Sequence, residues 1–183
     1  NIFILLAFFC FATISLSYLV MYVPKFDYIQ GRILSFFDRE TGTHNFQSDK
    51  AIDSITSGGF FGKGIGEGIL KNKVPEAHTD YIISVISEEF GVVAIMLILL
   101  LFLIFIYMVF KKISFESDDR IKLILIGSIS LILMQATIHV GVNIRLFPTT
   151  GMTLPFLSYG GSSIISTSIL AGIILNLTKR KIN

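Results

Sequence analysis

Residues 90–110 have the sequence FGVVAIMLILLLFLIFIYMVF, which contains no Asp, Glu, Lys or Arg. A helix needs about 20 predominantly apolar residues to cross the hydrocarbon core of a bilayer, so this stretch is long enough. The surface helix of a soluble bundle would instead carry charged residues along one face. The stretch therefore predicts a transmembrane helix, and it decides the fold class.

The composition of the whole chain agrees with a membrane protein. Of its 183 residues, 52% are hydrophobic and only 15% are charged, and the mean hydropathy is +0.74. Soluble domains usually contain about 25% charged residues. The net charge of +2 and the absence of interleaved basic and aromatic residues give no indication of nucleic-acid binding. Cys10 is the only cysteine, so no intrachain disulfide can form.

Four apolar segments predict an all-α polytopic membrane protein with about four transmembrane helices in a single membrane domain, residues 1–183. We expect these helices at residues 2–23, 80–110, 121–142 and 162–178. The chain enters the first span directly from Asn1, without the basic region or the cleavage site of a signal peptide. We therefore expect it to be the C-terminal part of a longer protein.

The Lys and Arg residues predict the orientation in the membrane, because basic residues favour the cytoplasmic side of short loops. They are concentrated in the loop 111–120 and in the tail 179–183, whereas the loop 143–161 contains only Arg145. The loop 111–120 and the tail 179–183 are therefore predicted to be cytoplasmic. The loops 143–161 and 24–79 are then extracytoplasmic, and the apolar spacing within the larger loop predicts short interfacial helices.

An ionisable cluster precedes the second span, in the sequence Pro75-Glu76-Ala77-His78-Thr79-Asp80. Charged groups at a membrane boundary cost desolvation, so such a cluster indicates a functional site by default. Asp80 could act as a catalytic carboxylate or as a helix cap. On a continuous helix, Ser84, Ser87 and Glu88 would share its face and point into protein or a wet cavity.

Alternating glycines surround Lys63 and Glu67 at positions 62, 64, 66 and 68. The spacing matches neither the dinucleotide-binding fingerprint nor the Walker motif. Two interpretations stay open, a strained loop packed at the membrane surface and a backbone surface for an anionic lipid headgroup.

Metal binding has weak support, because His78, Asp80 and His139 lack the spacing of a zinc site. A loosely held divalent cation (Mg or Mn), bridging a carboxylate and a substrate pyrophosphate, stays open.

A polar stripe of Gln135, His139 and Asn143 recurs every four residues in the third span. It could supply hydrogen bonds between helices or line a cavity that opens outward.

Several strings resemble the SEDS family, the polytopic membrane proteins FtsW, RodA and SpoVE of bacterial cell-wall biogenesis. The strings are SGGFFGKG at residues 57–64, PEAHTDYI at 75–82, EEFG at 88–91 and PTTGMTLPFLSYGGSS at 148–163. The resemblance covers essentially the whole chain as the C-terminal half of such a protein. The EAHTD and GMTLP strings are closer to FtsW, the cell-division branch, than to RodA.

The resemblance implies a peptidoglycan glycosyltransferase that polymerises lipid II on the outer face of the bacterial cytoplasmic (inner) membrane. It also implies that Asp80 is the essential catalytic residue and that the loop 24–79 is the family's large external loop. The first six of the family's ten spans are not in this sequence, so we expect the chain by itself to be inactive. The implied partners are lipid II and the growing glycan strand, membrane lipid, a class B penicillin-binding transpeptidase and other divisome membrane proteins.

The corresponding mechanistic hypothesis makes Asp80 the general base that activates the incoming sugar hydroxyl. The further candidates for substrate binding are Lys63, His78, Glu76, Glu88, Arg32 and Lys73. Among them, the basic residues would neutralise the pyrophosphate, and His78 and Glu88 would tune Asp80. The alternatives are a lipid II flippase or transporter and a non-catalytic divisome scaffold.

Overall fold

A computed structural model of the protein describes residues 2–37, 43–74 and 76–179, and these residues contain seven α-helices and no strand. The helices are α1 Ile2–Tyr22, α2 Asp27–Phe37, α3 Thr43–Gly58, α4 Leu70–Lys73, α5 Ile82–Phe115, α6 Asp119–Asn143 and α7 Gly161–Thr178. The chain divides into two compact units, residues 1–46 and residues 47–183. The all-α fold predicted from the sequence is confirmed.

The first unit contains α1, a 3₁₀ turn at Pro24–Phe26 and α2. The described side chains of α1 are mostly apolar and nearly all exposed, and the hydroxyl groups of Thr13 and Ser17 donate to carbonyl groups of the same helix, as expected of a helix that lies in lipid. Pro24 lies in the first turn of the 3₁₀ segment, where its fixed φ is favourable and its missing N–H costs nothing. The helix α2 follows directly and has Asp27 in its first turn.

Four helices among the described residues are long and apolar enough to cross a membrane, namely α1, α5, α6 and α7. The predicted boundaries are close to the observed ones except at the loop 111–120. Residues 111–115 are helical, and Ile113 is buried against α6 and α7. The prediction was wrong there because it ended the helix where the uncharged run ends. Lys112 instead lies in the last turn of α5, where a basic side chain complements the helix dipole.

The second unit has two apolar clusters, one at each end. One cluster packs α5, α6 and α7 together and consists of Val109, Ile113, Leu125, Ile129, Ile132 and Ile174. The other gathers α3, α4, the start of α5 and the end of α6, and consists of Ala51, Leu70, Val74, Ala77, Tyr81, Val85 and Val142. Because Tyr81 is only 1% exposed, this second cluster fixes the segment that carries the ionisable residues.

The helix α5 is interrupted at Gly91, whose φ of 79° and ψ of −179° are not helical. The interruption breaks two helical hydrogen bonds, and the segment 59–64 replaces both. Its bonds to α5 run from Lys63 N to Glu88 O (2.9 Å), Gly64 N to Glu89 O (3.1 Å), Val92 N to Gly59 O (3.0 Å) and Val93 N to Phe60 O (3.3 Å). All four backbone groups are therefore satisfied, as a membrane boundary demands.

The glycines permit this close contact between the segment 59–64 and α5. A Cβ atom built on Gly62 would lie 2.2 Å from Glu89 O, and one built on Gly91 would lie 2.2 Å from Phe60 O. Both residues also have a positive φ, which side chains disfavour. The glycine segment is thus a loop packed on α5. The amide groups of Lys63 and Gly64 bind α5, so they are not free to bind a lipid headgroup.

We expect Gly91→Ala to destabilise the protein by about 2 kcal/mol or more, because it adds backbone strain and forces the segment 59–64 away from α5. Thermal unfolding in detergent would measure the loss. The control is Gly172→Ala in α7, where an added Cβ meets nothing within 4 Å. That variant should be neutral or stabilised by up to about 1 kcal/mol. Equal unfolding temperatures for the two variants would contradict the assigned role of Gly91.

Candidate functional site

The candidate site is built around the turn 76–80, which immediately precedes α5. The carbonyl oxygen of Glu76 accepts hydrogen bonds from the Thr79 and Asp80 N–H groups at 3.1 and 3.0 Å. The turn leaves Glu76 and His78 exposed and Asp80 half-buried. The predicted helix start at residue 80 is wrong, because α5 begins at Ile82 with Tyr81 at the N-cap position. Asp80 therefore precedes the helix and does not continue its polar face.

Asn143, the last residue of α6, holds this turn against the rest of the unit. Its Nδ2 donates to Asp80 O at 2.9 Å and to His139 O at 2.9 Å. Its Oδ1 accepts from Ser84 N at 3.2 Å and from Ser84 Oγ at 2.7 Å. Asn143 is fully buried. One side chain thus caps the first turn of α5 and fixes the backbone of Asp80.

The connection between α6 and α7, residues 144–160, packs on the same turn. Tyr159 N donates to His78 O at 3.1 Å, and Ser158 Oγ donates to Thr79 O at 2.8 Å. Gly151 faces Asp80, since a Cβ built on this glycine would lie 3.8 Å from Asp80 Oδ2. The two longest motifs of the sequence therefore meet at Asp80, with a glycine beside its carboxylate.

The polar stripe of α6 makes hydrogen bonds to neighbouring elements, as the first of its two interpretations predicted. Gln135 Nε2 donates to Thr153 O at 2.9 Å and to Ser163 Oγ at 2.9 Å. His139 Nδ1 lies 2.8 Å from Met152 O. These bonds fix the part of the connection that follows Gly151.

A separate basic cavity of about 150 Å³ lies between α3, α4 and α5. Its lining residues are Lys50, Asp53, Ser54, Ser57, Lys63, Ile69, Leu70, Lys73 and Glu88. Lys63 Nζ lies 3.0 Å from Glu88 Oε1 and donates to Ser57 Oγ at 2.8 Å. The second oxygen of Glu88 accepts from Leu70 N at 3.0 Å. Glu88, only 2% exposed, thus links α5 to the glycine segment and to the start of α4.

The predicted site residues consequently fall into two groups. Asp80, Glu76 and His78 share the turn 76–80, whereas Lys63, Glu88 and Lys73 line the basic cavity. Asp80 is not among the residues that line the cavity. The remaining predicted residue is Arg32, whose side chain lies outside the described part of the structure. Glu88, predicted to tune Asp80, is bonded to Lys63 and Leu70.

Sequence reasoning noticed Asn143 only as part of a stripe and missed its bond to Asp80. The available signal was an amide side chain at the very end of an apolar span, where a polar residue needs a partner. Within the described ranges, no group of three or more His, Cys, Asp or Glu residues could hold a metal ion.

Comparisons with known proteins show the family of the chain. The sequence profile of the family described as "Cell cycle protein", which comprises FtsW, RodA and SpoVE, matches residues 2–183. Two similar proteins are each named "Probable peptidoglycan glycosyltransferase FtsW". The protein of Caulobacter vibrioides is 36% identical over 157 residues, which are 85% of this chain and 40% of that protein. The protein of Enterococcus hirae is 33% identical over 174 residues, 90% of this chain and 44% of that protein.

A solved structure has the same fold. It is described as "Structural coordination of polymerization and crosslinking by a peptidoglycan synthase complex". The TM-score is 0.69 at 25% sequence identity, and the match covers 98% of this chain and 50% of the other. The chain thus spans less than half the length of the two curated relatives and half of the solved chain.

Proposed function

Because the chain belongs to the family of FtsW, RodA and SpoVE, multi-pass membrane proteins, we propose that it forms part of a peptidoglycan glycosyltransferase. The proposed activity is the polymerisation of lipid II into glycan strands during cell division. The observation that carries the proposal is the position of Asp80, a half-buried residue whose backbone carbonyl accepts from Asn143 and whose carboxylate lies beside Gly151. The names of the curated relatives support the same activity.

In the proposed reaction, a sugar hydroxyl of the acceptor attacks the anomeric carbon of the donor. The new glycosidic C–O bond forms with inversion as the C–O bond to the polyprenyl pyrophosphate breaks. Asp80 accepts the hydroxyl proton, and the pyrophosphate leaves with the bonding electron pair. General base catalysis of this kind contributes about 10²- to 10⁴-fold to the rate. Orientation of the two substrates must supply much of the remainder.

Basic residues near the membrane surface are the proposed ligands of the pyrophosphate, namely Lys63, Lys73 and Arg32. Lys63 already pairs with Glu88, whereas Lys73 is exposed at the basic cavity and is the better placed of these two. A divalent cation (Mg or Mn) is also part of the proposal. The carboxylates of Glu76 and Asp80 belong to one turn, which suits an ion that uses one or two carboxylates together with phosphates.

The proposed location is the bacterial inner membrane, with the turn 76–80 outside the cell and the C-terminus in the cytoplasm. The proposed partner is a class B penicillin-binding transpeptidase, together with other divisome membrane proteins. Coupling to a crosslinking enzyme is supported by the description of the solved structure, which joins polymerisation and crosslinking in one complex.

The deciding experiment incubates the purified full-length protein and its transpeptidase partner with lipid II, and analyses the products as glycan strands on a gel. Strands should form with the complex and not with the transpeptidase alone. Addition of a chelator, followed by Mg²⁺ or Mn²⁺, tests the proposed cation. The same protein in vesicles is assayed for lipid II exposure. Exposure without strands would indicate a flippase. The absence of both exposure and strands would indicate a scaffold.

A further inference from the structure

The segment between α3 and α4 presents three large apolar side chains to its surroundings. Phe60 is 74% exposed, Phe61 is 86% exposed and Ile65 is 79% exposed. We call these three residues the apolar tip. Single exposed apolar residues are ordinary on protein surfaces, but a group of them marks a surface that another phase or molecule covers.

Hydrogen bonds fix the position of the apolar tip along α5. The uncharged residues 90–110 of that helix have a length of about 31 Å, close to the thickness of the hydrocarbon core. Glu88 and Glu89 lie at one end of this run, and Lys111 and Lys112 lie at the other. The bond from Val93 N to Phe60 O therefore places the backbone of Phe60 just inside the apolar run.

Several polar backbone groups beside the apolar tip are hydrogen-bonded within the protein, as an environment without water requires. The carbonyl groups of Gly59 and Phe60 and the amide groups of Lys63 and Gly64 are paired with α5. Lys63 is the only charged residue between positions 59 and 66, and its ammonium group binds Glu88 and Ser57. Irregular backbone is tolerated at membrane depth only when its polar groups are satisfied in this way.

The apolar tip also continues the exposed apolar surface of the membrane span. Phe90, Val92 and Val93, the residues of α5 beside the segment, are 44%, 37% and 52% exposed. Lipid that surrounds the span would consequently meet the apolar tip at the same depth.

From these observations we propose that residues 59–66 form a membrane anchor. The anchor inserts Phe60, Phe61 and Ile65 among the lipids of the leaflet at the N-terminal end of α5. Lys63 belongs to the same segment, so the anchor would hold one wall of the basic cavity at the level of the lipid headgroups. The inference is independent of the proposed glycosyltransferase activity.

The test uses tryptophan as a depth probe in the full-length protein, reconstituted in nanodiscs. The present sequence contains no Trp, and subtraction of the parent spectrum removes any other contribution. Emission of the Phe61→Trp variant should shift to the blue, decrease with phosphatidylcholine brominated in the acyl chains and resist iodide in the buffer. Phe60→Trp and Ile65→Trp should behave in the same way, so a folding defect in one variant leaves two informative positions.

The matched control is Thr56→Trp, an exposed position near the end of α3 that precedes the segment. Its emission should be quenched by iodide and not by brominated lipid. Iodide quenching of the tip variants would place the apolar tip in water and overturn the proposal. Protection of these variants from both quenchers would show that protein covers the tip, and it would overturn the proposal equally.

Discussion

Replacing Asp80 by Asn is expected to abolish lipid II polymerisation by the full-length protein while leaving the protein folded. The amide has nearly the same shape as the carboxylate but cannot accept the proton of the attacking hydroxyl. The rate should therefore fall by the contribution of the general base, about 10²- to 10⁴-fold. The measurement is the initial rate of glycan-strand formation by the variant in complex with its transpeptidase partner.

The fold should tolerate this change because the amide keeps the shape of the carboxylate and because backbone bonds hold the turn. Asp80 N donates to Glu76 O, and Asp80 O accepts from Asn143 Nδ2, and neither bond depends on the side chain that is replaced. The unfolding temperature of the variant should thus stay close to that of the parent protein. This combination of a lost rate and a preserved fold distinguishes a catalytic carboxylate from a structural one.

The matched control for this variant is Asp119→Asn. Asp119 lies in the first turn of α6, at the opposite end of α5 from Asp80, and its side chain is 94% exposed beside Lys122. An exposed ion pair of this kind contributes little to stability, so the control should polymerise lipid II at the parental rate. Polymerisation by Asp80→Asn at the rate of the control would refute Asp80 as the general base.

Much of the fold follows from the lengths of apolar runs, because a bilayer imposes one simple requirement on helices that cross it. The predicted spans therefore agree with α1, α5, α6 and α7, apart from their ends. The pairing of the segment 59–64 with the interrupted α5 could not be predicted in this way. It joins backbone groups about 30 residues apart, and the local sequence around Gly91 shows only one glycine in an apolar run.

The candidate site was predictable to a similar extent. Asp80 stands out because a carboxylate at a membrane boundary must be compensated or used. The meeting of the turn 76–80 with residues 151–159 was not derivable from spacing, since Ser158 and Thr79 are 79 positions apart. A helix that continued from residue 80 would place Glu88 on the same face as Asp80. The observed helix begins at Ile82, and Lys63 and Leu70 bind the Glu88 carboxylate.

The second large effect is expected for Asn143→Leu, which removes the buried amide that joins α6 to Asp80. Leucine makes none of the four hydrogen bonds, so Ser84 and the Asp80 carbonyl lose their Asn143 partner inside the protein. A buried polar group left without a partner costs about 1–3 kcal/mol, and we expect a total loss of stability of about 3 kcal/mol or more. Thermal unfolding in detergent measures this loss.

Asn143→Asp tests whether the amide group of Asn143 positions Asp80. The ionised carboxylate of this variant can accept hydrogen bonds from Ser84 but lies against the carbonyl oxygens of Asp80 and His139, so the turn should shift; because the buried charge also costs stability, the rates are compared at a temperature at which the variant is folded. We expect kcat for strand formation to fall, with KM little changed, because Asn143 would act through Asp80 rather than on the substrate. The control is Asn176→Leu, an exposed position of α7, which should retain parental stability and rate. If Asn143→Asp kept the parental kcat, the bond from Asn143 to Asp80 would have only a structural role and would not position the carboxylate.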